Sequence, residues 1–253
     1  MRKTLIVLAL LVFVLPLSAY SVHALDSTVR YQSRTEMRKT KKTLQRNRKI
    51  WKKSTAKADV ISSDGFDSEN EYVSTSLDQL KNHNQALIKG TVYKLQKMSS
   101  PQNMAYTKAT IHVDKVISGD RTLQGRDVYV AFSGGLVSFD RWYANMSKPK
   151  DSNHEIFVKN DEFPMPSIGS KVITGLVPNH LDEATEYNDS LKQSGFTIKN
   201  SYALDIPRYN FWIKRPKDKR YKLNNPKIVK KNNDLTKELQ KLTKQINRKY
   251  NHM

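Results

Sequence analysis

Short segments in which apolar and polar residues alternate run through the middle of the chain, and they constrain its fold most. Within Thr107–Ile117, Ala109, Ile111 and Val113 fall on one face of an extended segment and polar residues on the other. A period of two with β-branched residues is typical of a half-buried strand. Similar segments recur through residues 76–213, separated by Gly and Pro. The pattern predicts a mainly β domain, built as a closed barrel or a sandwich.

Eight strands and two helical segments are predicted in this region. Strands are predicted at Gln85–Leu95, Thr107–Ile117, Val128–Phe132, Ile156–Val158, Lys171–Val177, Phe196–Ile198, Tyr202–Ile206 and Asn210–Ile213. A helical turn is predicted at Ser76–Lys81, and a short helix within a loop at Asp182–Gln193. The third strand should stop at Gly134 and Gly135, because glycine pairs favour turns.

The net charge of +20 is concentrated at the two ends of the chain. Residues 26–57 hold twelve basic and two acidic residues, and residues 214–253 hold fourteen basic and three acidic residues. Residues 58–213 are nearly neutral, with sixteen basic and nineteen acidic residues. Charge asymmetry of this kind indicates an anionic partner. The predicted partner is an anionic cell-wall polymer or an anionic membrane surface, with nucleic acid as a further candidate.

The first basic segment reads as a helix over residues 33–53, with a thin apolar stripe formed by Met37, Leu44 and Trp51. It is either a solvated tail or an arm that folds on an anionic surface. Basic residues of this segment and of the tail after the barrel are predicted to contact the anionic ligand as diffuse charges. They are Arg38, Lys39, Lys41, Lys42, Arg46, Arg48, Lys49, Lys52, Lys53, Lys214, Arg215, Lys217, Lys219 and Arg220.

A second helix is predicted near the end of the chain, at about Asp234–Tyr250. Its apolar residues, Leu235, Leu239, Leu242 and Ile246, lie on one face at helical spacing. The helix either packs on the barrel or lies on a membrane surface as a basic amphipathic helix. The predicted organisation is therefore a signal peptide at 1–24, a basic helical arm at 25–58, an acidic and Ser-rich linker at 59–75, the barrel domain at 76–213 and a basic tail at 214–253.

The first residues have the three-part layout of a secretory signal peptide. Arg2 and Lys3 precede an apolar run over Leu5–Leu15, and cleavage is expected after Ala24. The alternative is an uncleaved anchor, although the run is shorter than the ~18–20 residues of a spanning helix. The protein is therefore expected to be secreted, and to be extracellular or attached to the cell surface. The chain has no cysteine, which excludes disulfide scaffolds, thiolate metal sites and cysteine nucleophiles.

Residues 76–135 resemble a widespread bacterial secreted domain with an OB-type five-stranded barrel, related in architecture to netrin-like modules and metalloproteinase inhibitors. The resemblance covers about a hundred residues and depends on structural positions. These are the Ser76–Leu80 helix, the strands Ala86–Val92, Ala109–Val116 and Val128–Phe132, the turn at Gly119 and Asp120, the pair Gly134 and Gly135, and the later segment Pro166–Leu176. It implies an OB-type barrel, and the two basic arms lie outside it. With the arms, the predicted fold is a mainly β, OB-type five-stranded barrel flanked by basic N- and C-terminal helices. The inhibitors' mechanism needs an N-terminal cysteine, so it does not carry over.

The candidate binding and catalytic residues are few. Trp142, Tyr143, Phe211 and Trp212 lie beside basic residues and are candidates for ligand binding across a barrel face; the alternative is that they fill the core. No histidine pair has the spacing of a zinc site, and no catalytic residue, metal or cofactor is predicted. The sequence therefore favours a non-enzymatic, envelope-associated binding or scaffold protein. Nucleic-acid or oligosaccharide binding by the barrel is the alternative, and a hydrolase acting on a polyanion is disfavoured.

Overall fold

The computed structural model describes residues 37–63, 72–148 and 151–252. The predicted signal peptide at 1–24 lies outside the described residues. The chain divides into two compact units, Met1–Arg46 and Asn47–Met253. Residues 37–46 of the first unit are helical, and all the strands belong to the second. Helices and strands each make up 32% of the structure, which corrects the expectation of a mainly β chain.

The strands are β1 Asp59–Ser63, β2 Ala86–Lys97, β3 Tyr106–Gly119, β4 Asp127–Ser133, β5 Gly135–Ser138, β6 Glu155–Asn160, β7 Lys171–Pro178, β8 Ser201–Leu204, β9 Phe211–Lys214 and β10 Lys222–Leu223. The helices are α1 over residues 37–55, α2 Leu77–His83, α3 Phe139–Trp142, α4 Glu186–Gln193, α5 Pro207–Asn210, α6 Pro226–Val229 and α7 Asp234–Tyr250. A 3-10 turn covers Arg121–Leu123.

Five strands close into the predicted barrel. β2 pairs with β3 and with β7, and β3 pairs with β4, all antiparallel. β4 pairs in parallel with β8, and β8 closes the barrel by pairing antiparallel with β7. β9 and β10 continue the sheet outward from β7. Full closure leaves no free edge among the five barrel strands, which is how such folds avoid edge-to-edge association.

The alternation predicted for the second barrel strand is confirmed. Ala109, Ile111 and Val113 on β3 are completely buried, whereas the residues between them are partly exposed. The glycine pair after β4 has backbone dihedrals that favour glycine, with φ of 92° at Gly134 and 119° at Gly135. A Cβ on Gly135 would overlap Oγ1 of Thr107, which donates a hydrogen bond to the Gly134 carbonyl at 2.9 Å. The pair therefore lets the chain turn directly from β4 into β5.

Asp59–Ser63 and Phe196–Ile198 are among the segments that differ from their predicted structure. Asp59–Ser63, predicted as linker, is strand β1, which pairs in parallel with β6 in a small sheet of order β1-β6-β5. Its residues are mostly exposed, as an edge strand allows. Phe196–Ile198, predicted as a strand, is irregular. Its phenylalanine side chain is buried, so burial without regular pairing explains the apolar signal.

α7 packs on the outer face of the barrel sheet, so the first of the two alternatives for this helix holds. Leu239, Leu242 and Ile246 are buried in a cluster that also contains Leu87 of β2 and Trp212 of β9. α2 joins the same cluster, and its N-terminus is closed by a capping box between Ser76 and Gln79.

Among the described residues, no helix is long and apolar enough to cross a membrane.

The connection between β7 and β8, residues 179–200, covers a different part of the barrel surface. Leu191 and Phe196 of this connection pack with Tyr106 of β3 and Tyr129 of β4. Lys108 of β3 lies under it as well. Its Nζ donates to the Ser194 carbonyl at 2.7 Å and lies 3.7 Å from the centroid of the Tyr129 ring. The outward face of β3 and β4 is therefore occupied by the protein itself.

Candidate functional site

Four lysines on four neighbouring strands line one pocket beside the C-terminal end of α7. Lys89 lies on β2, Lys115 on β3, Lys171 on β7 and Lys214 on β9. Lys89 is directly opposite Lys115 in the sheet, and Lys171 is directly opposite Lys214. Side chains directly opposite each other share a face, and like charges in such positions repel. This arrangement weakens the sheet unless a negative charge lies among the lysines.

The pocket, which we call the lysine pocket, has a volume of about 390 Å³ and is completed by Asp114, Tyr221 and Asn251. Asp114 is the one carboxylate among its described lining residues; its Oδ2 lies 3.0 Å from Nζ of Lys171. Nζ of Lys214 donates to Oδ1 of Asn251 at 2.9 Å. Among the described lining residues, four ammonium groups therefore share the pocket with one carboxylate.

The end of α7 supplies a further, smaller negative charge. Nζ of Lys89 donates to the carbonyl of Tyr250, the last residue of the helix, at 3.4 Å. A helix C-terminus carries about half a negative charge. Asp114 and this helix end are the negative groups among the described lining residues of the pocket. Positive charge exceeds negative charge among those residues, which suits the lysine pocket to bind an anion.

Lys89 is the most buried of the four lysines, with 7% of its surface exposed. Its pKa is lowered from the ordinary 10.5, first by burial and then by the positive charge of Lys171, with smaller contributions from Lys214 and Lys115. Asp114 opposes the shift. The protonated form of Lys89 is therefore strained by its surroundings, and an anion in the pocket would relieve that strain.

Replacing Lys89 with methionine is expected to raise the free energy of unfolding at neutral pH by about 1 kcal/mol, because methionine fills similar space without a buried charge. Because the pKa of Lys89 is lowered in the folded state, its penalty is present at low pH and disappears as pH rises through that pKa towards 10.5. The difference in the free energy of unfolding between the variant and the wild type should therefore shrink as the pH rises. Urea unfolding between pH 7 and 10 measures both effects.

Lys115→Met is the matched control, because Lys115 lines the same pocket but is exposed. It should change the free energy of unfolding by less than about 0.5 kcal/mol. A Lys89→Met variant that is less stable than wild type at pH 7, or that shows no difference in pH slope, would contradict the interpretation of Lys89 as a buried, strained cation.

Two of the basic residues predicted to bind as diffuse charges, Arg48 and Lys52, line a pocket together with Phe157. Lys214 is the member of that set that lines the lysine pocket. Arg215 is half-buried and donates from Nη2 to Oδ1 of Asn224 at 3.3 Å. The other residues of the set are exposed: Arg38, Lys39, Lys41, Lys42, Arg46, Arg48, Lys49, Lys52, Lys53, Lys217, Lys219 and Arg220.

The last turns of α1 are attached to the body of the second unit. Asn47 is buried, and its Nδ2 donates to the carbonyl of Tyr93 at 2.9 Å. Nε of Arg48 donates to the carbonyl of Ile168 at 2.8 Å. The Trp51 ring meets the ring of Phe157 edge-on, with centroids 6.2 Å apart. Residues 47–55 are therefore anchored by polar and aromatic contacts, although their apolar stripe is thin.

The four candidate aromatic residues divide into two pairs. Phe211 and Trp212 are completely buried, which corrects the expectation that they could bind a ligand across a barrel face. β9 lies inside the sheet and beneath α7, so both of its faces are covered. Trp142 and Tyr143 are half-buried and pack against the cluster that contains Val137. Neither of these two contributes to the lysine pocket.

Two histidines each pair with one aspartate. Nε2 of His154 lies 2.8 Å from Oδ2 of Asp59, and Nδ1 of His112 lies 2.8 Å from Oδ1 of Asp127. Within the described ranges, no group of three or more His, Asp or Glu residues is placed to hold a metal ion. His154 also stacks on the ring of Phe139, which gives it a packing role.

Sequence reasoning missed Lys89, Lys115 and Lys171, because they lie within predicted strands and outside the two basic segments. One signal was present: Lys89 interrupts an otherwise apolar strand, Ala86–Val92, at a position where charge is disfavoured. No protein-family model, curated protein or solved structure matches this chain. The interpretation of the lysine pocket therefore depends on its own geometry and charge.

Proposed function

We propose that this chain is a secreted, non-enzymatic binding protein that attaches to an anionic polymer of the bacterial envelope. The observation that supports it is the lysine pocket, where four lysines converge with one carboxylate among the described lining residues. A phosphate or carboxylate group of the polymer would occupy the pocket. Exposed cations such as Lys217 and Lys219 would attract neighbouring groups of the same polymer. Secretion is proposed from the signal peptide at 1–24.

We also propose that the barrel is of the OB type. Its strands, taken in chain order as one to five, are connected in the order 1-2-3-5-4-1, with the third and fifth strands parallel. OB barrels commonly bind ligands on the face of their second and third strands. Here those strands are β3 and β4, whose outward face is covered by Leu191 and Phe196. This cover favours the lysine pocket over the barrel face as the binding site.

The proposal predicts salt-sensitive binding that depends on the lysine pocket. The Lys115→Gln/Lys214→Gln double variant should bind washed cell walls at least about tenfold more weakly than wild type, because a hydrogen bond to a charged group contributes about 1.5–3 kcal/mol. This variant keeps the Lys171–Asp114 ion pair. Raising the salt concentration should weaken binding of the wild type steeply. A pull-down of the full chain across a salt series measures both effects.

Lys217→Gln/Lys219→Gln is the matched control, because it removes the same charge from positions that do not line the lysine pocket. Surface charges outside a binding pocket contribute about 0–1 kcal/mol each, so this variant should lose much less affinity than the pocket variant. Equal losses in the two variants would contradict a pocket, and binding that persists at high salt would contradict the electrostatic attachment. Vesicles of phosphatidylglycerol and duplex DNA, tested in parallel, should bind more weakly than cell walls; stronger binding to either would reject the wall polymer as the ligand.

A further inference from the structure

A second cavity lies between β10, α6 and α7 and shares no lining residue with the lysine pocket. Its volume is about 520 Å³, within the range of about 300–1,000 Å³ that is usual for small-molecule sites. Leu223, Ile228 and Leu239 line it and are buried. Val229, also a lining residue, is 45% exposed. The cavity therefore combines an apolar interior with an apolar side chain open to solvent.

The polar side chains inside this cavity are already engaged within the protein. Nδ2 of Asn224 donates to the carbonyl of Pro164 at 2.7 Å. The hydroxyl of Thr236 lies 3.1 Å from the carbonyl oxygen of Ile228. The hydroxyl of Thr243 accepts from Nε1 of Trp212 at 2.9 Å and donates to the carbonyl of Leu239. These three polar side chains are therefore bonded within the protein, and Gln240, another polar lining residue, is exposed. The buried lining is mostly apolar, which suits an aliphatic chain.

The rim of the cavity is positively charged. Four of its lining residues are basic, and none of its described lining residues is acidic: Arg215, Lys222, Lys230 and Lys244. Nζ of Lys222 lies 3.5 Å from Oδ1 of Asp218, so its charge is partly neutralised. Lys230 and Lys244 are exposed. An apolar interior with a cationic rim is complementary to a molecule that has one acyl chain and one anionic head group.

We propose that this cavity binds a single-chain anionic amphiphile, with the acyl chain inside and the carboxylate or phosphate against Lys230 and Lys244. A free fatty acid and a lysophospholipid share this chemistry. The site is separate from the lysine pocket, and it stands whether or not the chain binds a wall polymer. Binding here would add a lipid ligand to the proposed attachment to the envelope.

Isothermal titration of the full chain with saturated fatty acids of about ten, twelve and fourteen carbons tests the proposal. Affinity should rise by up to about fourfold for each added methylene until the cavity is full, as burial of each group predicts. Val229→Trp should reduce this affinity by at least about tenfold, because the larger ring fills space beside the cavity. The partial exposure of Val229 makes this substitution tolerable for the fold.

The charge requirement is tested with Lys230→Gln/Lys244→Gln, which should weaken fatty-acid binding by up to about fivefold per lysine. Binding of dodecanol, which lacks the charge, should not change. Lys241→Gln/Arg248→Gln removes two charges from α7 outside the cavity and should leave both ligands unaffected. A parallel titration with lysophosphatidylglycerol shows whether the site prefers a lysophospholipid or a free fatty acid.

Three results would overturn the proposal. The first is a fatty-acid affinity that does not depend on chain length. The second is an equal loss of fatty-acid affinity in the rim variant and in its α7 control. The third is a loss of fatty-acid binding in Lys115→Gln/Lys214→Gln. The last result would place the ligand in the lysine pocket. Conversely, that pocket variant should lose cell-wall binding and keep fatty-acid binding, so failure of one proposal is distinguishable from failure of the other.

Discussion

Replacing Trp212 with alanine is expected to lower the free energy of unfolding by about 3–5 kcal/mol. The side chain is completely buried between the barrel sheet and α7, in the cluster that contains Leu242 and Ile246. Its Nε1 also donates to Oγ1 of Thr243 at 2.9 Å, which ties β9 to the helix. The substitution leaves a large cavity and removes that hydrogen bond. Urea unfolding followed by circular dichroism measures the loss.

Two further substitutions separate the contributions. Trp212→Phe retains an aromatic ring but removes the donor to Thr243, so it should cost only about 1–2 kcal/mol. Trp142→Ala removes a half-buried ring and should cost clearly less than Trp212→Ala. If Trp212→Ala and Trp142→Ala cost the same, the packing of α7 on β9 is not the main support of the outer core.

Gly135→Ala is expected to cost about 3 kcal/mol or more, which is large for one methyl group. The residue has φ of 119°, where side chains with a Cβ are strained. The added Cβ would also overlap Oγ1 of Thr107. Thr107 cannot move easily, because it is completely buried and donates to the Gly134 carbonyl. Thermal and urea unfolding measure the cost.

A double-mutant cycle with Thr107→Ala tests the cause. Thr107→Ala removes the overlapping oxygen, so Gly135→Ala should cost less in that background, by about 1–3 kcal/mol. The remaining cost reports the backbone strain at residue 135. Gly125→Ala is a control for positive φ alone, since its φ is 80° and nothing lies within 4 Å of the added Cβ. No coupling between residues 107 and 135 would contradict the steric argument.

The barrel strands could be predicted because their pattern follows from burial alone. β3 buries every second residue, so Ala109, Ile111 and Val113 identify it without tertiary information. β1 was missed because its residues are mostly exposed and it exists through parallel pairing with β6, which is distant in sequence. β5 was missed because a glycine pair usually ends a strand, whereas here it redirects the chain into another sheet.

The lysine pocket could not be predicted because it depends on strand register. Lys89 is opposite Lys115 in a hairpin whose register shifts between Leu87 and Ile88 and again between Lys89 and Gly90. A shift of one residue places a side chain on the other face of a sheet. Sequence patterns do not specify such bulges, so the convergence of lysines from β2, β3, β7 and β9 appears only in the folded structure.

The burial of Phe211 and Trp212 has a similar explanation. Three consecutive buried residues, Phe211–Ile213, do not alternate, because α7 covers the face of β9 that a simple barrel would leave in water. The apolar face of α7 was visible in the sequence, but its target was not. A helix that packs on the barrel and a helix that lies on a membrane share the same amphipathic pattern.

The position of α7 in the chain has a consequence for how the protein acquires its fold during synthesis. Lys89 and Tyr250 touch across 161 residues of sequence, so the outer core joins early and late parts of the chain. In a nascent chain that has emerged only as far as β10, α7 is not yet available to cover the side chains of Leu87 and Trp212. Contacts of such long range slow folding and leave apolar surface open to aggregation meanwhile. The emergence of the last helix therefore sets the earliest moment at which the outer core can form.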